Sequence, residues 1–133
     1  MRALAICAVC LALLGACASK STPRSNSVTR PKSTATLKII APQSGQTLDK
    51  NNVVAKLDLS GGRLTKTVTT HITPNVGHMH LRLDGKTVTL LGSLSEKIPD
   101  VSAGQHILEA EFVAADHGPF DPRVLSTVSF TAK

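Results

Sequence analysis

His78 and His80 stand one residue apart in a stretch where apolar and polar residues alternate. On an extended strand that spacing puts both imidazoles on one face. Two imidazoles side by side, joined by a third or by a carboxylate from a facing loop, make a site for Zn²⁺ or Cu²⁺. Asp116 and His117 are the candidates to complete it, from a segment distant in sequence. Met79 falls between the two histidines, but alternation turns it to the other face and makes it a poor copper ligand. No complete ligand spacing such as H-E-x-x-H is present.

The same residues have a plainer reading. His80 and Arg82 share a face, as do Glu109 and Glu111 on a second alternating stretch. If the two stretches pair, these become cross-strand polar pairs, each worth about 0.2–1 kcal/mol. His117-Gly118-Pro119 then begins a turn, His71 caps a loop, and His106 packs at a strand end. Phe120, flanked by Pro119 and Pro122, has two readings. It is either a rigid exposed aromatic suited to recognition or a ring folded back to close the end of the domain. The candidate recognition loop is thus His71 and Phe120 beside the histidine and aspartate residues above.

Other chemistry is not expected. There is no G-x-S-x-G elbow and no glycine-rich loop leading from a strand into a helix. Glu109 and Glu111 are two acids on one exposed face with no pocket marked between them, so glycosidase chemistry does not follow. Cys7 and Cys10 have C-x-x-C spacing, but both lie in a segment read below as a removed leader. The domain itself then has no thiol, and the expectation is a protein that is not an enzyme.

The elements that must position these residues are strands. Leu37, Ile39 and Ile40 open a first one, closed by Pro42, Ser44 and Gly45. Residues 53–59 alternate and place Val53, Ala55, Leu57 and Leu59 on one face. Residues 64–72, rich in Thr and Val, are a short strand or an extended loop. Met79, Leu81 and Leu83 alternate up to Asp84-Gly85, and Lys86 to Leu91 follow, which predicts a hairpin with a type I′ turn. Leu108, Ala110 and Phe112 oppose Ile107, Glu109, Glu111 and Val113, and Val124 to Phe130 form a last strand. No stretch holds a helical apolar period. Six to eight short strands between turn residues predict a β-sandwich.

The N-terminus is an address. Arg2 is followed by an apolar run, Ala3 to Leu14, and then by Gly15-Ala16-Cys17. The run is about a dozen residues, short of the ~20 that a spanning helix needs. It reads as a cleaved secretory signal over residues 1–16. Its end resembles the lipobox of bacterial lipoproteins, which implies that Cys17 carries the acyl anchor, of the palmitate kind. Residues 17–35 are rich in Ser, Thr, Pro and basic side chains and read as a flexible tether. The domain then spans 36–133.

The formal net charge is +6, much of it from Lys20, Arg24, Arg30 and Lys32 in the tether. Export and the lack of interleaved aromatics argue against nucleic acid. The expected partners are the membrane through the lipid, and an envelope protein or small ligand at the domain.

The domain resembles bacterial immunoglobulin-like and fibronectin-III-like modules. The likeness rests on Ile40-Ala41-Pro42-Gln43-Ser44-Gly45-Gln46-Thr47-Leu48, on His80-Leu81-Arg82-Leu83-Asp84-Gly85 and on Ala103-Gly104-Gln105-His106-Ile107-Leu108, in that order. It implies an Ig-like antiparallel β-sandwich and a non-enzymatic spacer, adhesive or ligand-binding role. In that strand order the loop before His78 and the loop after the strand of Glu111 share one end. His78, His80, Asp116 and His117 would converge there, with His71 in the first loop and His106 at the other end. Copper-resistance β-sandwiches offer a looser likeness; their histidine at the mature N-terminus is here replaced by Cys17. The residue after Cys17 is Ala18, not aspartate, which resembles outer-membrane lipoproteins of diderm cells. In a monoderm the anchor would sit in the outer face of the plasma membrane.

Overall fold

Alternating strands whose apolar sides face each other need a second layer to bury them, and the chain builds two. A computed structural model describes residues 29–133. The signal over 1–16, the acylation at Cys17 and most of the tether lie outside the described residues.

The strands are β1 (Thr36–Ala41), β2 (Thr47–Leu48), β3 (Val54–Ser60), β4 (Arg63–Leu64) and β5 (Val76–Leu83), then β6 (Lys86–Leu91), β7 (Ser95–Lys97), β8 (Gly104–Ala114) and β9 (Pro119–Ala132). A single 3₁₀ turn, Lys50–Asn52, interrupts them, capped by the Asp49 carboxylate on the Asn51 amide. One sheet has the order β1-β3-β7; the other runs β2-β9-β8-β5, with β4 and β6 both pairing the far side of β5. The fold is the expected antiparallel β-sandwich, with nine strands among the described residues. Two of them are two-residue strands paired in parallel, β2 with β9 and β4 with β5. Of residues 64–72, Leu64 alone lies in a strand; the rest is loop.

The core lies between the sheets. Leu37, Val53, Ala55 and Leu57 from the smaller sheet meet Met79, Leu81, Leu108, Ala110, Phe112 and Phe130 from the larger. The Asp84-Gly85 turn has positive φ at both residues, 51° and 78°, as type I′ requires. Gly77 opens β5 where a Cβ would run into the Val113 carbonyl of β8, so only glycine lets the two strands close at that point.

The ordered domain begins earlier than residue 36. The Pro31 carbonyl accepts from the Asp121 amide at 3.0 Å. The Ser33 hydroxyl and the Thr34 amide donate to the Asn75 side-chain oxygen at 2.7 and 2.9 Å. Ala35 is buried in the core. The tether that composition predicts over 17–35 therefore ends earlier, because the side chains of Arg30, Ser33 and Thr34 find partners on the domain.

Candidate functional site

β5 sends His78, His80 and Arg82 to the outer face of the larger sheet. In register across from them on β8 stand Val113, Glu111 and Glu109. The plain pairing holds for one rung. Arg82 donates from Nη1 to Glu109 Oε1 at 2.6 Å and reaches diagonally to Glu111 Oε2 at 3.0 Å. Glu111 is taken by Arg123 of β9, which donates from Nε and Nη2 at 2.7 Å each. Glu111 is 2 % exposed, so this carboxylate is a buried ion held by two guanidiniums. Arg123 and Arg82 hold its pKa below the usual glutamate value against the opposing effect of burial.

His80 is therefore left without a carboxylate partner, and it turns to His117. Its Nε2 lies 2.9 Å from His117 Nδ1, so one ring donates and the other accepts. His117 comes from the turn after β8, where its φ of 63° folds the ring back over the sheet. Its other neighbour is His78, stacked with centroids 4.4 Å apart and planes 11° apart. His78 is buried and donates from Nε2 to the Ala115 carbonyl at 3.2 Å. Three imidazoles thus converge as the strand order implied, packed ring on ring. Burial first, then the neighbouring His117 and Arg82, push the His80 pKa down. A neutral ring there leaves a lone pair.

Asp116 does not complete the cluster as a ligand. Arg30 grips it from Nη1 and Nη2 at 2.6 and 2.8 Å and donates from Nε to the Pro119 carbonyl at 2.7 Å. The Gly118 amide also donates to Asp116 Oδ1. The Arg30 guanidinium holds the Asp116 carboxyl far below the usual aspartate range. Among the described residues, no group of three or more His, Cys, Asp or Glu side chains is placed to hold one metal ion together. The nearest arrangement is the His80–His117 pair.

Phe120 is not an exposed recognition aromatic. It is 1 % exposed and stacks on Phe112 at 5.2 Å. The register shift that pairs Phe112 with Val124 but Val113 with Pro119 loops out residues 120–123. That bulge drops Phe120 into the core and aims Arg123 outward at Glu111. His71 is exposed in the loop between β4 and β5, where its amide donates to Thr69 Oγ1 at 3.1 Å. His106 sits at the opposite end, buried, with Nδ1 2.7 Å from Asp84 Oδ2 and Nε2 2.9 Å from the Ser102 carbonyl. A cleft of about 410 Å³ opens beside it, lined in part by Lys86, Pro99 and Asp100. With both ring nitrogens occupied, His106 offers that cleft no free acid or base.

Sequence reasoning missed Arg30, Arg123 and the burial of Glu111. One signal was present. Val113 and Ala115 share the outward parity of Glu111, and apolar residues at such positions mark a covered face.

No family model and no curated protein matches this chain. Solved structures do. A fibronectin(III)-like module of CbhA from Clostridium thermocellum aligns with TM-score 0.52 at 15% identity, covering 73% of this chain and 94% of that one. CopC from Methylosinus trichosporium OB3b aligns with TM-score 0.45 at 17% identity, over 74% of this chain and 93% of that one. The PKD domain of human KIAA0319 gives 0.46 at 13%, over 84% and 91%. The likeness to the CbhA module shows a fibronectin-III-like sandwich; it shows the fold alone.

Proposed function

We propose that the chain is a lipid-anchored, non-enzymatic binding module of the cell envelope that works through the end carrying His78, His80 and His117. One observation carries this reading: three imidazoles from two separate elements are packed together at that end. A structural spacer has no need of such a stack, since Phe112, Phe120 and Phe130 already fill the core. Acylation at Cys17 would hold the module at the outer membrane in a diderm, or on the outer face of the plasma membrane in a monoderm. Photo-crosslinking in intact cells from a probe at Thr70, beside the cluster, tests it. The expected result is a crosslinked species that His80→Ala with His117→Ala abolishes; a pattern unchanged by the double variant overturns the reading.

A second reading makes the bound species Cu²⁺ or Zn²⁺. The His80 Nε2 to His117 Nδ1 separation, 2.9 Å, favours it. Two imidazoles bound to one ion at ~2.0–2.1 Å need their nitrogens roughly 3 Å apart. His80 and His117 would supply the two nitrogens and water the remaining positions. Calorimetric titration of residues 29–133 with each metal tests it. Binding that is no tighter than that of the His80→Ala, His117→Ala variant ends this reading.

A further inference from the structure

We infer that the histidine end faces the lipid surface, and that Lys32, Arg63 and Lys66 there meet anionic headgroups. This rests on acylation at Cys17. The topology provides the first argument. β1 begins opposite Ser60, where β3 ends, so the chain comes into the sandwich at the end that holds the β4–β5 loop and the β8–β9 turn. The far end holds the Asp84-Gly85 turn and His106.

Arg30 provides the second argument. It clamps the incoming chain onto Asp116 and the Pro119 carbonyl, one residue either side of His117 and Gly118. The Arg30 guanidinium fills the space where a Gly118 side chain would stand. The chain is therefore fixed to the histidine end, not merely routed past it. Arg30 lies about 13 residues beyond Cys17, which at ~3.3–3.6 Å per residue caps the reach from lipid to clamp at roughly 45 Å. The domain is shorter than that: β9 pairs along β8 with residues 120–123 looped out, so the two strands share the 11-residue length of β8, roughly 35 Å at ~3.3 Å per residue. The leash therefore keeps the clamped near end within that reach of the anchor, whereas the far end can lie a domain length further out.

Charge provides the third. Lys32, Arg63 and Lys66 are exposed at this end, where Arg30 and Asp116 cancel each other, the exposed Asp58 stands opposite Lys38, and Asp121 is exposed too. Arg63 and Lys66 flank the start of the β4–β5 loop, whose Thr69 amide is bonded to the Ala115 carbonyl beside the histidines. Val68, 64 % exposed, projects from the same loop. Cations around an exposed aliphatic residue suit an anionic lipid interface. At the far end Asp49, Asp84 and Asp100 stand against Lys50, Lys86, Lys97 and Lys133, a smaller cationic excess.

The test uses the full acylated chain in vesicles carrying an acceptor dye on the headgroups. With Cys17 acylated, a cysteine introduced by Thr70→Cys or Gln105→Cys is the mature chain's one free thiol for a donor dye. The two labels are separated by about the length of β8, roughly 35 Å at ~3.3 Å per residue. Energy transfer is expected to be greater from Thr70→Cys, to rise when phosphatidylglycerol is added to phosphatidylcholine, and to lose that rise in Arg63→Glu, Lys66→Glu. Arg30→Ala, checked for a retained fold by circular dichroism, is expected to narrow the gap between the two labels. Equal transfer from both labels, or more from Gln105→Cys, overturns the orientation. A near Thr70 label that ignores lipid charge overturns the headgroup contact and points to a protein partner. A mass showing an unmodified Cys17 overturns the anchor reading, and this inference with it.

Discussion

Two histidines in this domain are set to opposite tasks by their neighbours. His106 has an acceptor at each nitrogen, the Asp84 carboxylate and the Ser102 carbonyl, and only the imidazolium donates to both. The Asp84 bond raises its pKa. His80 lies against His117, and burial lowers its pKa. Proton NMR of the imidazole C2 protons should therefore show His80 titrating below 6.5 and His106 above it. A reversed order would contradict the geometry. The stability consequences have opposite signs. His106, raised, contributes fully below the unfolded value near 6.5, and the contribution is lost as pH rises through its folded pKa. His80, lowered, contributes above that value, and its share is lost as pH falls through its own folded pKa. Urea unfolding from acid to alkaline pH should show that His106→Asn removes the decline on the alkaline side. Its cost below neutrality should be about 1 kcal/mol, because Asp84 is half-exposed and solvent screens the pair. At this scale much was legible. Alternation placed His80 and Arg82 outward and Met79 inward, and the chain ends separated His106 from the rest. The partner of His80 was not legible. Cross-strand register offers Glu111, and only the distant Arg123 explains why that carboxylate is already taken.

Among elements, β8 is the one on which the site turns. Its inner face packs Leu108, Ala110 and Phe112, and its outer face buries Glu111 and Val113 as well. A strand covered on both sides tolerates little displacement, and Gly77 is where β5 closes on it. Gly77→Ala must push the two strands apart, since the obstacle is backbone and cannot rotate away. A loss of at least about 2 kcal/mol is expected, with disorder of the His78–His117 stack visible in the same NMR spectra. A variant as stable as the parent would mean that β5 and β8 do not meet so closely. Glycine in that position could have been read as a close approach from sequence, but nothing local names the residue it approaches. The hairpin at Asp84-Gly85 was legible because its turn chemistry is local. β7 was not: Ser95-Glu96-Lys97 carries no apolar alternation and is a strand only because β3 offers it an edge. Phe120 shows the same limit. Its flanking prolines suggest rigidity, while the bulge that turns it inward is set by the register of two strands across from each other.

For the whole molecule, the boundary between tether and domain decides which end can work. Composition puts that boundary at Thr36, because Ser, Thr, Pro and basic residues before it carry no apolar pattern. Yet Arg30, Pro31, Ser33 and Thr34 all bond to loops of the histidine end, and Ala35 enters the core. Their partners, Asp116, Asp121 and Asn75, lie some forty to ninety positions away, and no local rule links them. A chain beginning at Thr36 should fold, since both sheets remain. It should be less stable than one beginning at Thr29 by about 2–3 kcal/mol, from the loss of one partly buried ion pair and several hydrogen bonds. The pH dependence separates this cause from trivial end effects. Arg30 holds the Asp116 carboxyl well below its ordinary 3.8. The stabilisation is therefore full above that value and is lost as pH falls towards the folded pKa. The stability difference between the two chains should be constant near neutrality and shrink in acid, and Arg30→Ala in the longer chain should remove most of it. If the two chains unfold together at every pH, the clamp does not fix the chain to the histidine end, and the tether leaves the domain free to tumble.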